Sequence, residues 1–520
     1  MFMLLLISSI LPYVLGSIAD SNPSILIPSP PQVIIDSQPV IDIQVGEEVI
    51  VASLFTNNDK VHDWAAYFIT EVRTANGTTV MLNLTSEIVN ASDTVEVGAA
   101  WTPSHAGTFE LRAFAISSEN NPLILSSISS SIVSIPTFFN DTFTVLPDPD
   151  PPRISDAGLK VEKVVEGLAL PTSMAFIDHA DILILQKNDG KVRLVSDGAL
   201  QPDPVLDVDV ESQRERGLLG VAVANATGDS KTVFLYYTED AGDEVRNRVY
   251  RYNWDGADNF TGETLVLDLP GQPGPNHDGG KITLGPDGML YAVIGDLNRD
   301  GMLQNYKNGP EPDDTSVILR VDRDGNAGNG TLPGEGRYYA YGIRNSFGMD
   351  FDPLTGRLWD TENGPAGYDE INVVEPGFNS GWEQTMGPID IGDMTVDDLV
   401  QLEGSHYADP VFSWRHAQGV TDIEFLNSTK LGDEYAYNIF VGDINNGNLY
   451  FFTVNEERNG LVLGDGLEDL VADNNDEVES VVFGTGFDGG ITDIETGPDG
   501  SLYILTFAGD LYRIVPALDS

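Results

Sequence analysis

The sequence predicts an all-β protein with two domains. Its 520 residues exceed the length of one typical domain. Its 53 glycines and 30 prolines suit many turns between short strands. Valine, isoleucine, threonine and tyrosine cluster in short runs, which favours strands over helices, and long helical heptads are absent.

The first residues predict export. An apolar run extends from Phe2 to Leu15, and small residues follow at Gly16 and Ala19. This pattern indicates a signal peptide over residues 1–20, and the run is short for a membrane span. Because no basic residue precedes the run, an uncleaved anchor is the alternative. We expect a secreted or cell-surface protein with no transmembrane segment beyond this region.

The charge balance limits the partners. The chain has 81 acidic and 27 basic residues, for a net charge of −54. Such a surface repels nucleic acid and anionic lipid, whereas divalent cations are plausible partners. The chain has no cysteine, which excludes disulfides and thiolate chemistry.

The first domain is expected over residues 28–146. Val49–Phe55 and Thr108–Phe114 form short strand patterns, and Gly, Asn and Pro turns separate such patterns. This organisation indicates a β-sandwich, and the segment resembles immunoglobulin-like modules of surface proteins. The following stretch, residues 147–157, is rich in proline and predicts a linker.

The second domain is expected over residues 158–517. A Gly-Pro-Asp-Gly turn precedes an apolar strand at Gly285–Gly288 and again at Gly497–Gly500. Hairpins that recur at intervals of tens of residues predict a six-bladed β-propeller. The final strand, Asp510–Ile514, is expected to close the ring by pairing with the first blade, which removes an exposed edge.

One histidine in this domain has a notable setting. His277 lies in a Gly-rich loop, Pro275–Lys281, that enters a strand. Loops at the end of a propeller surround a central cavity, and a histidine there can accept a proton near neutral pH. A histidine in a surface turn is the alternative.

Six other segments lie before and after this loop along the chain. They are Arg216–Gly220, Ile294–Asp296, Tyr341–Asn345, Glu362–Pro365, Asp369–Asn372 and Asn379–Trp382. Together they resemble the signature series of the soluble PQQ-dependent glucose and aldose sugar dehydrogenases. The resemblance spans Val165 to Trp382 and resumes at Trp414 and near Asp493.

The resemblance implies roles for five residues. His277 is implied as the general base on the anomeric hydroxyl of a sugar, and Asp296 as the group that orients its imidazole. Arg344 is implied to stabilise charge on the quinone, with Asn345 as a hydrogen-bonding partner. Glu215 stands where a Gln often contacts the cofactor. Simpler alternatives are that Asp296 holds a turn and that Arg344 pairs with a structural carboxylate.

Calcium is implied in the same way. A Ca²⁺ ion bridges protein carbonyls and the quinone in this family, and Gly364 and Pro365 match the positions that supply those oxygens. Asp369 and Glu370 either hold a second ion or cap the loop. Trp414 matches a position that lines the cavity, and the alternative is a core aromatic.

The sequence departs from the family pattern in its cations. PQQ carries three carboxylates, and the glucose dehydrogenase pattern supplies one Lys and two Arg late in the chain. Asn445 stands at the Lys position here, and Gly490 and Thr492 stand at the Arg positions. Lys281 and Arg415 are candidate replacements.

Three functions remain open on the sequence alone. The first is an exported quinoprotein that oxidises the anomeric carbon of an aldose to a lactone, with an unknown electron acceptor. The second is a surface carbohydrate-binding or adhesion protein that has lost the cofactor. The third is a Ca²⁺-dependent lactonase, against which the His277 series argues.

Overall fold

A computed structural model divides the chain into two compact units, Met1–Thr144 and Val145–Ser520. In the first unit the structure describes residues 25–35, 38–40, 49–74, 79–101, 107–117, 125–126 and 128–135. In the second it describes residues 151–517 apart from 226–229, 243, 257–259, 329–331, 333–335, 366 and 390–393. The predicted signal peptide and residues 147–150 of the predicted linker lie outside the described residues. The rest of the predicted linker is described, and its residues Arg153–Ile154 form a strand of the second unit.

The described part of the first unit forms two antiparallel sheets. One contains Leu26–Pro28, Gln32–Ile35, Gln38–Val40, Val49–Asn57 and Thr94–Trp101. The other contains Trp64–Thr74, Thr79–Val89, Gly107–Ile116 and Ser129–Ile135. The sheets share a buried core in which Trp101 of one lies edge-on to Phe109 of the other, at 5.0 Å between ring centroids. The immunoglobulin-like assignment stays a prediction.

The described part of the second unit forms six sheets, here called blades 1 to 6. In each blade, the strand named first below is called its first strand. Blade 1 contains Pro171–Phe176, Asp181–Gln186, Lys191–Ser196, Ala199–Leu200 and Leu206–Asp207. Blade 2 contains Leu218–Asn225, Lys231–Asp240, Val245–Trp254 and Phe260–Pro270. Blade 3 contains Ile282–Leu284, Leu290–Ile294, Val317–Val321, Tyr338–Tyr341, Phe378–Asn379 and His406–Tyr407.

The remaining blades come from the second half of the unit. Blade 4 contains Ser346–Phe351, Leu358–Glu362, Asp369–Val374, Phe412–Trp414 and Val471–Ala472. Blade 5 contains Val420–Phe425, Ile439–Asp443, Leu449–Val454, Val482–Thr485, Arg153–Ile154 and Leu461–Val462. Blade 6 contains Ile491–Thr496, Leu502–Thr506, Leu511–Pro516 and Leu159–Val165.

The blades close into a ring around their first strands. The first strand of each blade contacts the first strand of the next, and Ile491–Thr496 of blade 6 contacts Pro171–Phe176 of blade 1. This cyclic packing buries both faces of each sheet against its neighbours. The predicted all-β fold with a six-bladed β-propeller is confirmed.

The ring is joined by the two ends of the unit. Leu159–Val165 pairs antiparallel with Leu511–Pro516, so an early strand completes the last blade. The final strand therefore pairs with the start of the domain, as expected, but the sheet that results is blade 6 and not blade 1. The pairing covers an edge that would otherwise be open.

Helices are few and short in the described residues. They are the 3₁₀ helices Met302–Gln304 and Val396–Asp398 and the α-helix Asn475–Ser480. None of the helices in this part of the chain is long and apolar enough to cross a membrane.

A buried ion cluster joins three of the first strands near the axis. Lys281, directly before Ile282–Leu284, places its Nζ 2.7 Å from an oxygen of Asp422 and 2.7 Å from an oxygen of Asp493. The two aspartates lie on the first strands of blades 5 and 6. Burial opposes the charge on Lys281, but the two carboxylates outweigh it and raise its pKa.

We predict that Lys281→Met lowers the free energy of unfolding of the propeller by about 3 kcal/mol, because it leaves two buried carboxylates without a cation. Urea denaturation followed by tryptophan fluorescence measures the change. Lys191→Met is the control, because Lys191 and its partner Asp189 are 37% and 35% exposed and such pairs contribute little. Equal stability of both variants would contradict the assigned role of Lys281.

Candidate active site

His277 is held at the end of blade 3 by two carboxylates. Its backbone, in the left-handed region at φ 64°, donates its N–H to Glu215 Oε2 at 2.6 Å. Its Nδ1 lies 2.6 Å from Asp296 Oδ1. With Asp296 ionised, Nδ1 is the donor in this contact, and Nε2 of the neutral ring keeps its lone pair. The side chain can therefore accept a proton at Nε2.

Asp296 is fixed by three donors. It follows the strand Leu290–Ile294 by two residues, and it is 3% exposed. Besides His277, it accepts hydrogen bonds from Trp382 Nε1 at 2.6 Å and from the backbone N–H of Asn298 at 2.7 Å. Both carboxylate oxygens therefore accept hydrogen bonds. Asp296 thus both accepts the hydrogen bond of a turn and contacts the His277 ring, and its role in orienting a catalytic base stays a prediction.

Gly295 permits the close approach of the loops that carry the site. A Cβ atom there would lie 2.4 Å from the carbonyl oxygen of Arg344 and 2.5 Å from that of His277. The next residue, Asp296, donates its N–H to the same Arg344 oxygen at 2.9 Å. Only glycine fits between these two carbonyls.

Arg344 lies beside these residues with its charge uncompensated by an ion pair in the described part of the chain. Its Nη1 donates to the carbonyl of Asn363 at 2.8 Å, and its guanidinium lies 5.2 Å from the centroid of the Trp382 ring. Its Nε is buried without a hydrogen-bond partner. Burial lowers the pKa of Arg344, although Asp296 and Glu362 oppose the shift. An arginine remains charged in such a setting.

Glu215 connects the histidine to Asn345. The oxygen that accepts from His277 also accepts from Asn345 Nδ2 at 3.0 Å. The Oδ1 atom of Asn345 is buried without a partner, so it is available to a ligand donor. The structure thus brings together five residues singled out in the sequence, namely Glu215, His277, Asp296, Arg344 and Asn345.

A cavity of about 290 Å³ adjoins this group. Its wall includes Glu215 and Asn363, which contact His277 and Arg344, and also Thr492. Three cations line it as well, namely Lys187, Arg214 and Lys281. The cavity is near the lower end of the size range of small-molecule sites.

Two predicted cofactor residues, Trp414 and Asn445, are not among those that line the cavity. Trp414 is fully buried in the core between blades 4 and 5, with ring centroids 4.8 Å from Phe412 and 5.1 Å from Tyr450. It does not line the cavity, because the strand register points its indole between sheets. Asn445 is exposed, next to the lining residue Ile444. Arg415 is also exposed and pairs with Asp473 at 3.1 Å, so it does not supply a cavity cation.

The predicted calcium ligands begin directly after Asn363, which lines the cavity. Gly364 is buried and Pro365 is exposed, and their carbonyl oxygens accept no hydrogen bond from the described residues. Asp369 accepts the backbone N–H groups of Gly364 at 2.9 Å and of Gln418 at 2.7 Å. Asp369 therefore caps the loop, which was one of its two alternatives.

Glu370 belongs instead to a buried acidic cluster in blade 4, defined as Asp360, Glu362, Glu370 and Asn372. Glu362 lies opposite Glu370 and Asp360 opposite Asn372 on neighbouring strands, and none is more than 1% exposed. Both carboxylate oxygens of Asp360 and Oδ1 of Asn372 have no hydrogen-bond partner. Burial raises the pKa of Glu362 to about 7. No three His, Cys, Asp or Glu side chains of the described residues converge as a metal-binding group.

Several residues of the site were not assigned from the sequence. Trp382 was noted in a motif but given no role, although it contacts both Asp296 and Arg344. Lys187 and Arg214 lie outside the family motifs, so the sequence implies no role for them. Their only signal in the sequence was basic charge in a strongly acidic chain, close to the Arg216–Gly220 motif.

Comparison with known proteins agrees with this geometry. A sequence profile of the family described as Glucose / Sorbosone dehydrogenase matches residues 168–513. The aldose sugar dehydrogenase YliI of Escherichia coli K12 is 26% identical over 377 residues, which cover 69% of this chain and 94% of that protein. The chain belongs to the Glucose / Sorbosone dehydrogenase family.

Solved structures share the fold of the second unit. A glucose dehydrogenase-type oxidoreductase of Thermus thermophilus superposes with a TM-score of 0.55 at 27% identity, over 69% of this chain and 100% of that one. The PQQ-bound aldose sugar dehydrogenase of Streptomyces coelicolor superposes with a TM-score of 0.54 at 21% identity, over 69% and 99%.

We predict that Glu215→Leu lowers the free energy of unfolding by about 1–3 kcal/mol, because the buried donors of His277 and Asn345 lose their acceptor. Glu215→Gln is the matched control. It keeps one acceptor oxygen and should lose less than half as much. Chemical denaturation measures both. If Gln were as harmful as Leu, the charge of Glu215 and not its acceptor would be the important feature.

Proposed function

We propose that the protein is an extracytoplasmic quinoprotein that oxidises the anomeric carbon of an aldose to a lactone. The observation that supports this most is the convergence of His277, Asp296 and Arg344 beside one cavity in a chain of this family. The relative YliI is an aldose sugar dehydrogenase, and one neighbouring structure is bound to PQQ. A sugar oxidoreductase is the broader form of the same proposal.

The residues fit a bound quinone. Arg344 Nε and Asn345 Oδ1 are buried polar atoms without partners, and each belongs to a residue that contacts the cavity wall. A planar polar ligand would give such atoms the hydrogen bonds that they lack. A quinone held here would supply the acceptor for the hydride that leaves the anomeric carbon of the sugar.

His277 takes the proton of this reaction. As C1–H is lost, the hydroxyl on the same carbon becomes a carbonyl and releases its proton to Nε2. The ring becomes cationic, and the Asp296 carboxylate at 2.6 Å stabilises that cation. The fixed charge of Arg344 stabilises negative charge that develops on an oxygen beside it, since the buried setting strengthens such an interaction.

Calcium is part of the proposal at two positions. The free carbonyl oxygens of Gly364 and Pro365 suit a Ca²⁺ ion next to the cavity, where it would act as a Lewis acid. The acidic cluster in blade 4 suits a structural ion, because Asp360 and Asn372 offer oxygens with no other partner. Neutral oxygens would complete its ligand shell, since three carboxylates of the described residues do not converge there.

A surface carbohydrate-binding protein is the second candidate. Asn445, Gly490 and Thr492 stand where the family pattern has cations. The absence of these cations favours the second candidate, because it would weaken the binding of an anionic cofactor. It requires the same cavity but predicts no redox chemistry.

We predict that purified protein with PQQ and Ca²⁺ reduces an artificial dye acceptor when aldoses are added, and that His277→Gln lowers the rate by at least about 100-fold because the proton acceptor is lost. Dye absorbance measures the rate. The His277→Gln variant should still bind PQQ, as seen from its absorbance. His179→Gln is the control, since His179 is exposed on another loop. Absence of dye reduction by the wild type with every aldose would eliminate the enzyme in favour of the second candidate.

We predict that Ca²⁺ at 100 times its Kd raises the free energy of unfolding by about 2.7 kcal/mol. The rise should be larger at pH 8 than at pH 5, because protons compete for carboxylates of raised pKa such as Glu362. Thermal unfolding with and without chelator measures it. Asp360→Asn should remove the part of the rise that the blade 4 cluster contributes, whereas Asp203→Asn, at an exposed position, should not change the rise. An unchanged rise in Asp360→Asn would show that no ion binds at the cluster.

A further inference from the structure

The three cations that line the cavity differ in what surrounds them. Lys281 is neutralised by Asp422 and Asp493, each at 2.7 Å. It stabilises the contact between blades 3, 5 and 6, and its charge is already compensated by these two carboxylates. Lys187 and Arg214 form no ion pair within the described part of the chain, although 81 acidic residues are available to pair with 27 basic ones.

Lys187 is a buried cation with neutral partners only. It is 8% exposed, and its Nζ donates to the carbonyl of Arg214 at 2.5 Å and to Asn188 Oδ1 at 3.1 Å. Burial lowers its pKa, and the acids that oppose this effect, Glu215 and Asp278, act at a distance. A buried charge without a counter-ion is unfavourable, so an anion in the cavity would stabilise it.

Arg214 is positioned by Lys187. Its carbonyl accepts the Lys187 hydrogen bond, and its backbone lies in the left-handed region at φ 57°. Its exposed guanidinium forms no hydrogen bond with a described residue, yet it contributes to the cavity wall. A guanidinium free in this way suits a carboxylate, which it can bind with two parallel hydrogen bonds.

We propose that Lys187 and Arg214 form the carboxylate clamp of the cavity and bind carboxylates of the quinone. This inference rests on the proposed function, which supplies the ligand. It assigns the anion-binding role to a lysine that follows the second strand of blade 1 and an arginine in the connection from blade 1 to blade 2, in place of the late positions occupied by Asn445, Gly490 and Thr492. The clamp lies on the same cavity wall as Glu215, which is bonded to His277.

The test is a titration of the full-length protein with PQQ in the presence of Ca²⁺, followed by quenching of tryptophan fluorescence. Arg214→Gln and Lys187→Gln should each weaken binding at least about tenfold, because each removes a charge-assisted hydrogen bond. Each should also make the apparent Kd less sensitive to salt. Arg214→Lys should recover part of the loss.

Two controls keep the result interpretable. Arg415→Gln removes an exposed cation outside the cavity and should bind PQQ like the wild type. Thermal unfolding checks that Lys187→Gln is folded, and Arg214, being exposed, tests the clamp even if Lys187→Gln is not. Wild-type affinity for PQQ in Arg214→Gln and in folded Lys187→Gln would overturn the clamp and leave the proposed function standing.

A second probe separates the clamp from the proposed function. Pyridine-2,4,6-tricarboxylate offers aromatic carboxylates without a quinone, and calorimetry measures its binding. If the wild type binds this probe through Lys187 and Arg214 but does not bind PQQ, the clamp stands and the proposed function fails. If the wild type binds neither compound, both are overturned.

Discussion

The site depends on the close backbone packing around Gly295. The carbonyls of His277 and Arg344 approach this residue so closely that no side chain fits, and Asp296 then bonds to both loops, through its backbone to Arg344 and its carboxylate to His277. A histidine and an arginine, 67 positions apart in the chain, thereby lie beside one cavity. The propeller supplies this geometry because its loops converge at the end of a closed ring.

Electrostatics divides the site into parts with different tasks. Lys281 is neutralised and stabilises the ring, whereas Arg344, Lys187 and Arg214 keep positive charge available near the cavity. In a chain of net charge −54, Lys187 and Arg214 line the cavity without an ion pair among the described residues. In the proposed clamp, these two cations would bind an anionic cofactor in place of the cations missing at the late positions.

Much of the fold was predictable, because turn residues and strand patterns repeat in the sequence, as at Gly285–Gly288 and Gly497–Gly500. His277, Asp296, Arg344 and Asn345 were identifiable because each lies in a local motif. Trp414 was misplaced at the cavity because an aromatic residue in a strand gives no signal of which side it faces. Lys187 and Arg214 were missed because their role arises only from folding, when a strand end and a loop form the wall of one cavity.

The most direct test is a crystal structure of the protein with PQQ and Ca²⁺. We expect the quinone in the cavity of about 290 Å³, with its reactive carbonyl beside Arg344 and His277 and its carboxylates toward Lys187 and Arg214. A quinone bound elsewhere, or a structure in which His277 and Arg344 lie at different sites, would contradict this assignment.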